Sequence, residues 1–276
     1  MEQRDYSYFT SGVTPAEPSS SALTSTSKYL NHPGMRDWLM THFLRRNGAD
    51  WPIPSDAVSG LLQSLDELRD DTEVQRLIDA EKERNPSFRN WIEEQWLSTM
   101  QVKDFAGFPP DSFGGIFYRH MADNGIALNL GYKDPAPRTD IEFIKIRSAQ
   151  IHDFEHLMTG GQFNSLGELI PLFGRISNPF AHYSPELAMN LAPHYIFLSH
   201  RMVMRSFLHY PQTWPMVLKL IQRGICVGLA SESVYEARYE DALHLGVPEA
   251  REMLGFRGAE DFDSEAMDLI FSEQVP

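Results

Sequence analysis

The chain has 276 residues, 42% of them hydrophobic and 22% charged, an ordinary globular balance with length enough for one substantial core. Its formal net charge of -14 argues against nucleic acid as a partner, because phosphate binding needs a concentrated positive surface. The single cysteine, Cys226, excludes an internal disulfide framework and reads as a small buried apolar residue, and no run reaches the roughly 18 to 20 uninterrupted apolar residues of a membrane span.

From Met1 to about Lys28 the chain is rich in Ser, Thr and Pro and lacks apolar periodicity, so residues 1–28 are expected to form a disordered tail ahead of one helical domain over 29–276. Glu2, Asp5 and Glu17 make a poor mitochondrial leader, and no apolar core marks a secretory signal. A bacterial cytoplasmic protein is the simplest expectation, with any bilayer contact peripheral.

The elements that follow are predicted to be helices. Ser55 precedes Val58, Leu61, Leu62, Leu65 and Leu68 at helical spacing, and Thr72 with Gln75 makes a capping box before Leu77 and Ile78. Phe88, Trp91, Ile92 and Trp96 mark another amphipathic face. Asp111 opens a helix that Asn124-Gly125 would stop, and Thr139 with Glu142 caps a long helix ending at Gly160. Pro185, Pro215 and Pro248 each sit where a first helical turn tolerates proline. The pattern is all-α, with no strand alternation longer than Phe143 to Ile146 and no internal repeat.

The long predicted helix carries His152-Asp153-Phe154-Glu155-His156, and Glu168 follows after eleven intervening residues. At roughly 100° per residue, His152, Asp153 and His156 share one helix face. Imidazole and carboxylate together suit a borderline-hard divalent ion. Glu168 would lie roughly 18 Å beyond His156 on a straight helix, so the chain must turn back to bring it in, and Gly160-Gly161 supplies the turn. Ser165 with Glu168 also matches a capping box, in which Glu168 would merely satisfy its own helix.

These residues carry a resemblance. His-Asp-x-x-His followed by eleven residues and Glu resembles, without a gap, the signature of the fourth Coq protein of ubiquinone biosynthesis, the Coq-four family. Phe108-Pro109-Pro110-Asp111-Ser112-Phe113-Gly114 is similar to that family's upstream element, and the stretch from Leu218 to Leu254 to its C-terminal helices, so the likeness spans roughly residues 85–256. It implies a single multi-helix domain and a divalent metal, zinc first with iron, manganese or cobalt as alternatives, on His152, Asp153, His156 and Glu168. Asp153 and Glu168 would also serve catalysis. It further implies a prenylated aromatic or isoprenoid substrate and oxidative decarboxylation at ring carbon 1 of a prenylated 4-hydroxybenzoate. The expected partners are other ubiquinone-biosynthesis proteins, a membrane touched peripherally, and a second copy of the chain. A lipid-binding scaffold without catalysis, or a metal-dependent lyase or hydrolase on another prenylated or aromatic molecule, remain the alternatives.

Phe180 to Tyr210 is apolar on too many sides for one narrow stripe, and is either deep core or a wall shared with a lipid chain. Arg201 and Arg205, four residues apart, are candidates to receive a carboxylate or phosphate head group, or else an exposed solvated pair. His182, His194, His200 and His209 are expected to be hydrogen-bonded structural residues.

Overall fold

The computed structural model describes residues 25–44, 46, 57–123 and 136–274, and within them every regular element is helical, as the sequence predicts. In chain order they are α1 (Lys28–Asn31), α2 (Pro33–Leu44), α3 (Ala57–Leu68), α4 (Asp71–Arg84), α5 (Pro86–Glu94), α6 (Phe113–Asp123) and α7 (Asp140–Thr159). Then come α8 (Leu169–His182), α9 (Pro185–Leu191), α10 (Pro193–His209), α11 (Trp214–Ala230), α12 (Val247–Met253) and α13 (Glu265–Phe271). Short 3-10 turns lie at Val102–Gly107, Pro211–Thr213 and Tyr239–Ala242. Of the expected tail, all but residues 25–28 lies outside the described residues, as do the helix start at Ser55 and the stop at Asn124-Gly125. Residues 25–28 are held: the Ser25 amide donates to Asn31, and Lys28 Nζ donates to the Leu68 carbonyl at 3.0 Å.

Helix ends follow from side-chain chemistry. Thr139 accepts the Glu142 amide at 3.1 Å to open α7, and Gly160, at φ 85°, closes it by bonding back to the His156 carbonyl. A Cβ on Gly160 would stand 2.0 Å from the Glu260 carbonyl, so both its conformation and its space demand glycine. Asp70, rather than the expected Thr72, caps α4 by accepting the Glu73 amide at 3.0 Å, a carboxylate being the stronger acceptor at the positive end of a helix. Likewise α6 begins two residues after Asp111, with Ser112 Oγ accepting the Gly115 amide at 3.2 Å. The apolar stretch from Phe180 to Tyr210 is three pieces, because Pro185 and Pro193 each start a new helix.

The main core gathers on α7 and α8. Phe154 of α7 meets Phe117 at 4.4 Å and Phe113 at 5.4 Å, while α8 is buried from Leu169 through Gly174 and presses closely on α11. That approach needs Gly228, whose Cβ would lie 2.2 Å from Ser177 Oγ and 2.6 Å from the Gly174 carbonyl. With Val217, Leu220, Gly224, Val227 and Gly228 facing α8, Cys226 falls on the other side of α11 and is exposed, not buried as its residue type predicts. Inside the core Arg175 Nε donates to both Glu155 oxygens at 2.6 and 2.8 Å, and Tyr239 Oη donates to Glu155 at 3.3 Å. A smaller cluster of Met35, Trp38 and Leu61 joins α2 to α3 and packs against Phe197 and Leu198 of α10.

Candidate metal centre and cavity

Past Gly160 the chain folds back through residues 161–168 to start α8. Asn164 controls this return: its Oδ1 accepts the Gly167 amide at 2.7 Å and its carbonyl accepts the Glu168 amide at 3.1 Å. Ser165 is therefore not the cap, and Glu168 makes no side-chain bond to its own helix. Its carboxylate crosses to α7 instead. Oε2 lies 3.2 Å from His152 Nε2 and Oε1 lies 3.4 Å from His156 Nε2.

The three donor atoms all fall within 4.8 Å of one another. His156 Nδ1 stands 3.0 Å from the Gln162 carbonyl, which can only accept, so that nitrogen carries a proton and Nε2 is the ring atom turned to the centre. Phe163 stacks on the His156 ring at 4.8 Å and on His120 of α6 at 3.6 Å, wedging the imidazole from behind. His156 is almost wholly buried, while His152 and Glu168 each keep 29% exposure, so the centre opens on their side.

Charge is finely balanced here. Burial works against the His152 cation, but the Glu168 carboxylate beside it raises the pKa to about 9. Burial likewise opposes the Glu168 anion, yet His156 and His152 hold its carboxyl well below the usual range. Two imidazole nitrogens and a carboxylate, one ring fixed in its donor tautomer, fit a divalent ion such as zinc, iron, manganese or cobalt. Three such donors leave coordination positions open.

Asp153, expected as a fourth ligand, is not among the converging three. It lines the wall of a cavity beside His152, and its charge acts on His120. Neighbouring side chains on one helix diverge by about 100°, which is enough to send this carboxylate elsewhere. The two candidate head-group arginines also part company. Arg205 is buried, and its Nε donates to the His42 carbonyl at 2.7 Å, so it ties α10 to α2. Arg201 is half-buried; burial lowers its pKa and Glu168 partly opposes that.

The cavity has a volume of about 350 Å³. Leu62 and Leu65 of α3, Ile78 of α4, Ile144 of α7 and Leu198 of α10 give it apolar walls, and His152 and Asp153 stand in the same lining. Lys28, Asp66, Arg69 and Lys145 supply its charged part, in which Asp66 pairs with both Arg69 and Lys145 at 2.6 Å each and the cations outnumber the carboxylate. His194 also lines it, and burial together with the nearby Arg175 pushes its pKa down to about 3, so this imidazole is neutral. His182, His200 and His209 meet backbone carbonyls, at 2.9, 2.7 and 2.7 Å, as expected of structural histidines.

Gln162, Phe163 and His120 escape the sequence pattern. Gln162 acts through its main chain, for which no residue type is diagnostic, and His120 arrives from a helix whose docking no spacing encodes.

No protein-family model and no curated protein matches the chain. Among solved structures it is similar to a protein of Nostoc punctiforme provisionally described as a ubiquinone biosynthesis protein, with a TM-score of 0.57 and 19% identity. The match covers 83% of this chain and 99% of that one. At that identity the likeness is one of fold.

Proposed function

We propose that this chain acts in ubiquinone biosynthesis as a metal-dependent oxidative decarboxylase, replacing the ring carbon 1 carboxyl of a prenylated 4-hydroxybenzoate by hydroxyl. One observation carries the reading: His152, His156 and Glu168 converge beside an apolar cavity that shares His152 in its wall. The motif's resemblance to the Coq-four family and the fold shared with the Nostoc protein support it.

A bound divalent ion would supply Lewis acidity and, if redox-active, access to dioxygen, the two-electron oxidant that this exchange requires. The protein does the rest. His152, His156 and Glu168 would hold the ion, with the Gln162 carbonyl keeping His156 in its donor tautomer. The apolar wall from Leu62 to Leu198 would sheathe the prenyl chain and exclude water. Asp153, in the lining but outside the trio, would take or return a proton at the ring. A prenylated substrate places the protein at the cytoplasmic membrane surface beside other enzymes of the pathway; no helix among the described residues is long and apolar enough to cross a bilayer.

The test is release of labelled carbon dioxide from carboxyl-labelled 3-farnesyl-4-hydroxybenzoate by protein loaded separately with zinc, iron(II), manganese or cobalt, read by mass spectrometry. The expected product is the ring hydroxylated at carbon 1. His156→Ala should lose bound metal and turnover together. Turnover by metal-stripped His156→Ala protein would refute the catalytic centre, and tight binding with no carbon dioxide under any metal would make the chain a scaffold.

A further inference from the structure

Arg201 is a cation without a counterion. Among the described residues it has no ion pair, no hydrogen bond and no aromatic ring beneath it, and its Nε is sealed from solvent with no acceptor. A guanidinium keeps its charge at any working pH, so it cannot escape the cost of burial by shedding a proton. The arginines buried in the core each have a partner: Arg147 has Glu240 at 2.7 Å, Arg175 has Glu155, Arg251 has Asp261, and Arg205 has the His42 carbonyl. Arg201 is half-buried, and only its Nε is both sealed and unpaired; a donor left so costs stability, and one that is kept points to a partner arriving from outside.

The packing of α8 against α10 says where that partner would sit. Arg175 of α8 bonds Tyr195 of α10 at 2.5 Å, and Phe173, two residues earlier, meets the His200 ring at 6.0 Å, so the helices run antiparallel. Seven residues back from Arg175 stands Glu168, and six residues on from Tyr195 stands Arg201. At about 1.5 Å per residue the two steps advance roughly 9 to 10 Å in the same direction. Arg201 thus lies level with the carboxylate of the metal centre, within reach of its field. His194 and Leu198, seven and three residues earlier on the same face of α10, line the cavity.

We propose that Arg201 receives the oxyanion, a carboxylate or a phosphate, at the head of an amphiphile whose chain lies in the cavity. A divalent ion on Glu168 and the two imidazoles leaves a net positive centre, and Arg201 adds a second positive charge beside it. A two-oxygen anion is the group that answers both, one oxygen toward each. The inference rests on the His152–His156–Glu168 centre being the substrate's site, but not on what reaction follows.

Calorimetric titration of the full chain tests it, with 3-farnesyl-4-hydroxybenzoate, its methyl ester and farnesyl monophosphate as probes, in metal-free and zinc-loaded protein. Arg201→Gln should weaken the acid about 10- to 100-fold and leave the ester unchanged, while Arg201→Lys recovers part of the loss. Whichever of acid and phosphate loses more identifies the oxyanion. Arg201→Met should in addition raise the unfolding midpoint of the ligand-free protein by a few degrees, because it removes a sealed Nε donor that has no acceptor. A structural arginine would do the reverse. Equal losses for acid and ester, or a lowered midpoint in Arg201→Met, overturns the proposal. Arg201-dependent preference for the acid without any carbon dioxide release sinks the decarboxylase reading and leaves this one standing.

Discussion

His152 and Glu168 hold each other ionised across 3.2 Å, and a metal ion must compete with the proton that this pair retains. With the His152 pKa raised from 6.5 to about 9 and that of Glu168 held well below 4.5, the pair stabilises the metal-free fold fully between pH 4.5 and 6.5; the contribution fades as pH climbs through 9 and again in acid as Glu168 takes up a proton. The same proton opposes metal. Apparent metal affinity should rise up to about tenfold per pH unit below 9 and level off above it. Calorimetry at pH 7.5 in two buffers of different ionisation enthalpy should show about one proton released per metal bound; a pH-independent affinity would contradict the coupling. The trio itself is legible in the sequence because two of its members are one helical turn apart and the third follows a glycine return. Asp153 is not separable from them by type, since only the actual direction of its side chain excludes it. Arg201 and Arg205 look alike in sequence as well, and differ because α2 offers a carbonyl to the Nε of one while, among the described residues, no acceptor meets the Nε of the other.

At the scale of elements, the centre depends on how sharply α7 gives way to α8. Gly160 makes that junction at φ 85°, against the Glu260 carbonyl. Gly160→Ala combines the left-handed penalty of about 1 kcal/mol with a backbone clash, and should destabilise the fold by roughly 2 to 4 kcal/mol. Urea unfolding of metal-free protein would measure this. Because the turn also delivers Glu168, zinc affinity should fall in the same variant, whereas an unchanged affinity would show that the centre tolerates a displaced return. Glycine at this position, like the threonine cap of α7 and the prolines that open α9 to α12, is readable locally, which is why helix ends along much of the chain follow the sequence. Where two nearby caps compete, as Asp70 with Thr72, the pattern names the wrong one, because the carboxylate is the stronger acceptor at a helix N-terminus.

The whole molecule adds the cavity, which belongs to no single element. Its walls come from α1, α3, α4 and α7 to α10, and no helical periodicity distinguishes a leucine facing a cavity from one facing a core. The sequence therefore leaves the Phe180 to Tyr210 stretch open between core and lipid wall, and the structure divides it: Leu187 and Met202 are buried in the core, while Leu191, His194, Tyr195 and Leu198 line the space. Ala149 of α7 gives the sharpest test, since it lines the cavity yet stays exposed, so that enlarging it fills the space without crowding the core. Ala149→Trp should abolish binding of farnesylated 4-hydroxybenzoate while unprenylated 4-hydroxybenzoate, zinc content and the unfolding midpoint stay as in the native chain. The comparison separates chain binding from head-group binding, because a tryptophan there obstructs the prenyl group, while zinc content reports whether His152, one turn further along α7, is disturbed. If the prenylated ligand binds Ala149→Trp as tightly as the native protein, the chain lies elsewhere and the cavity has no part in recognising it.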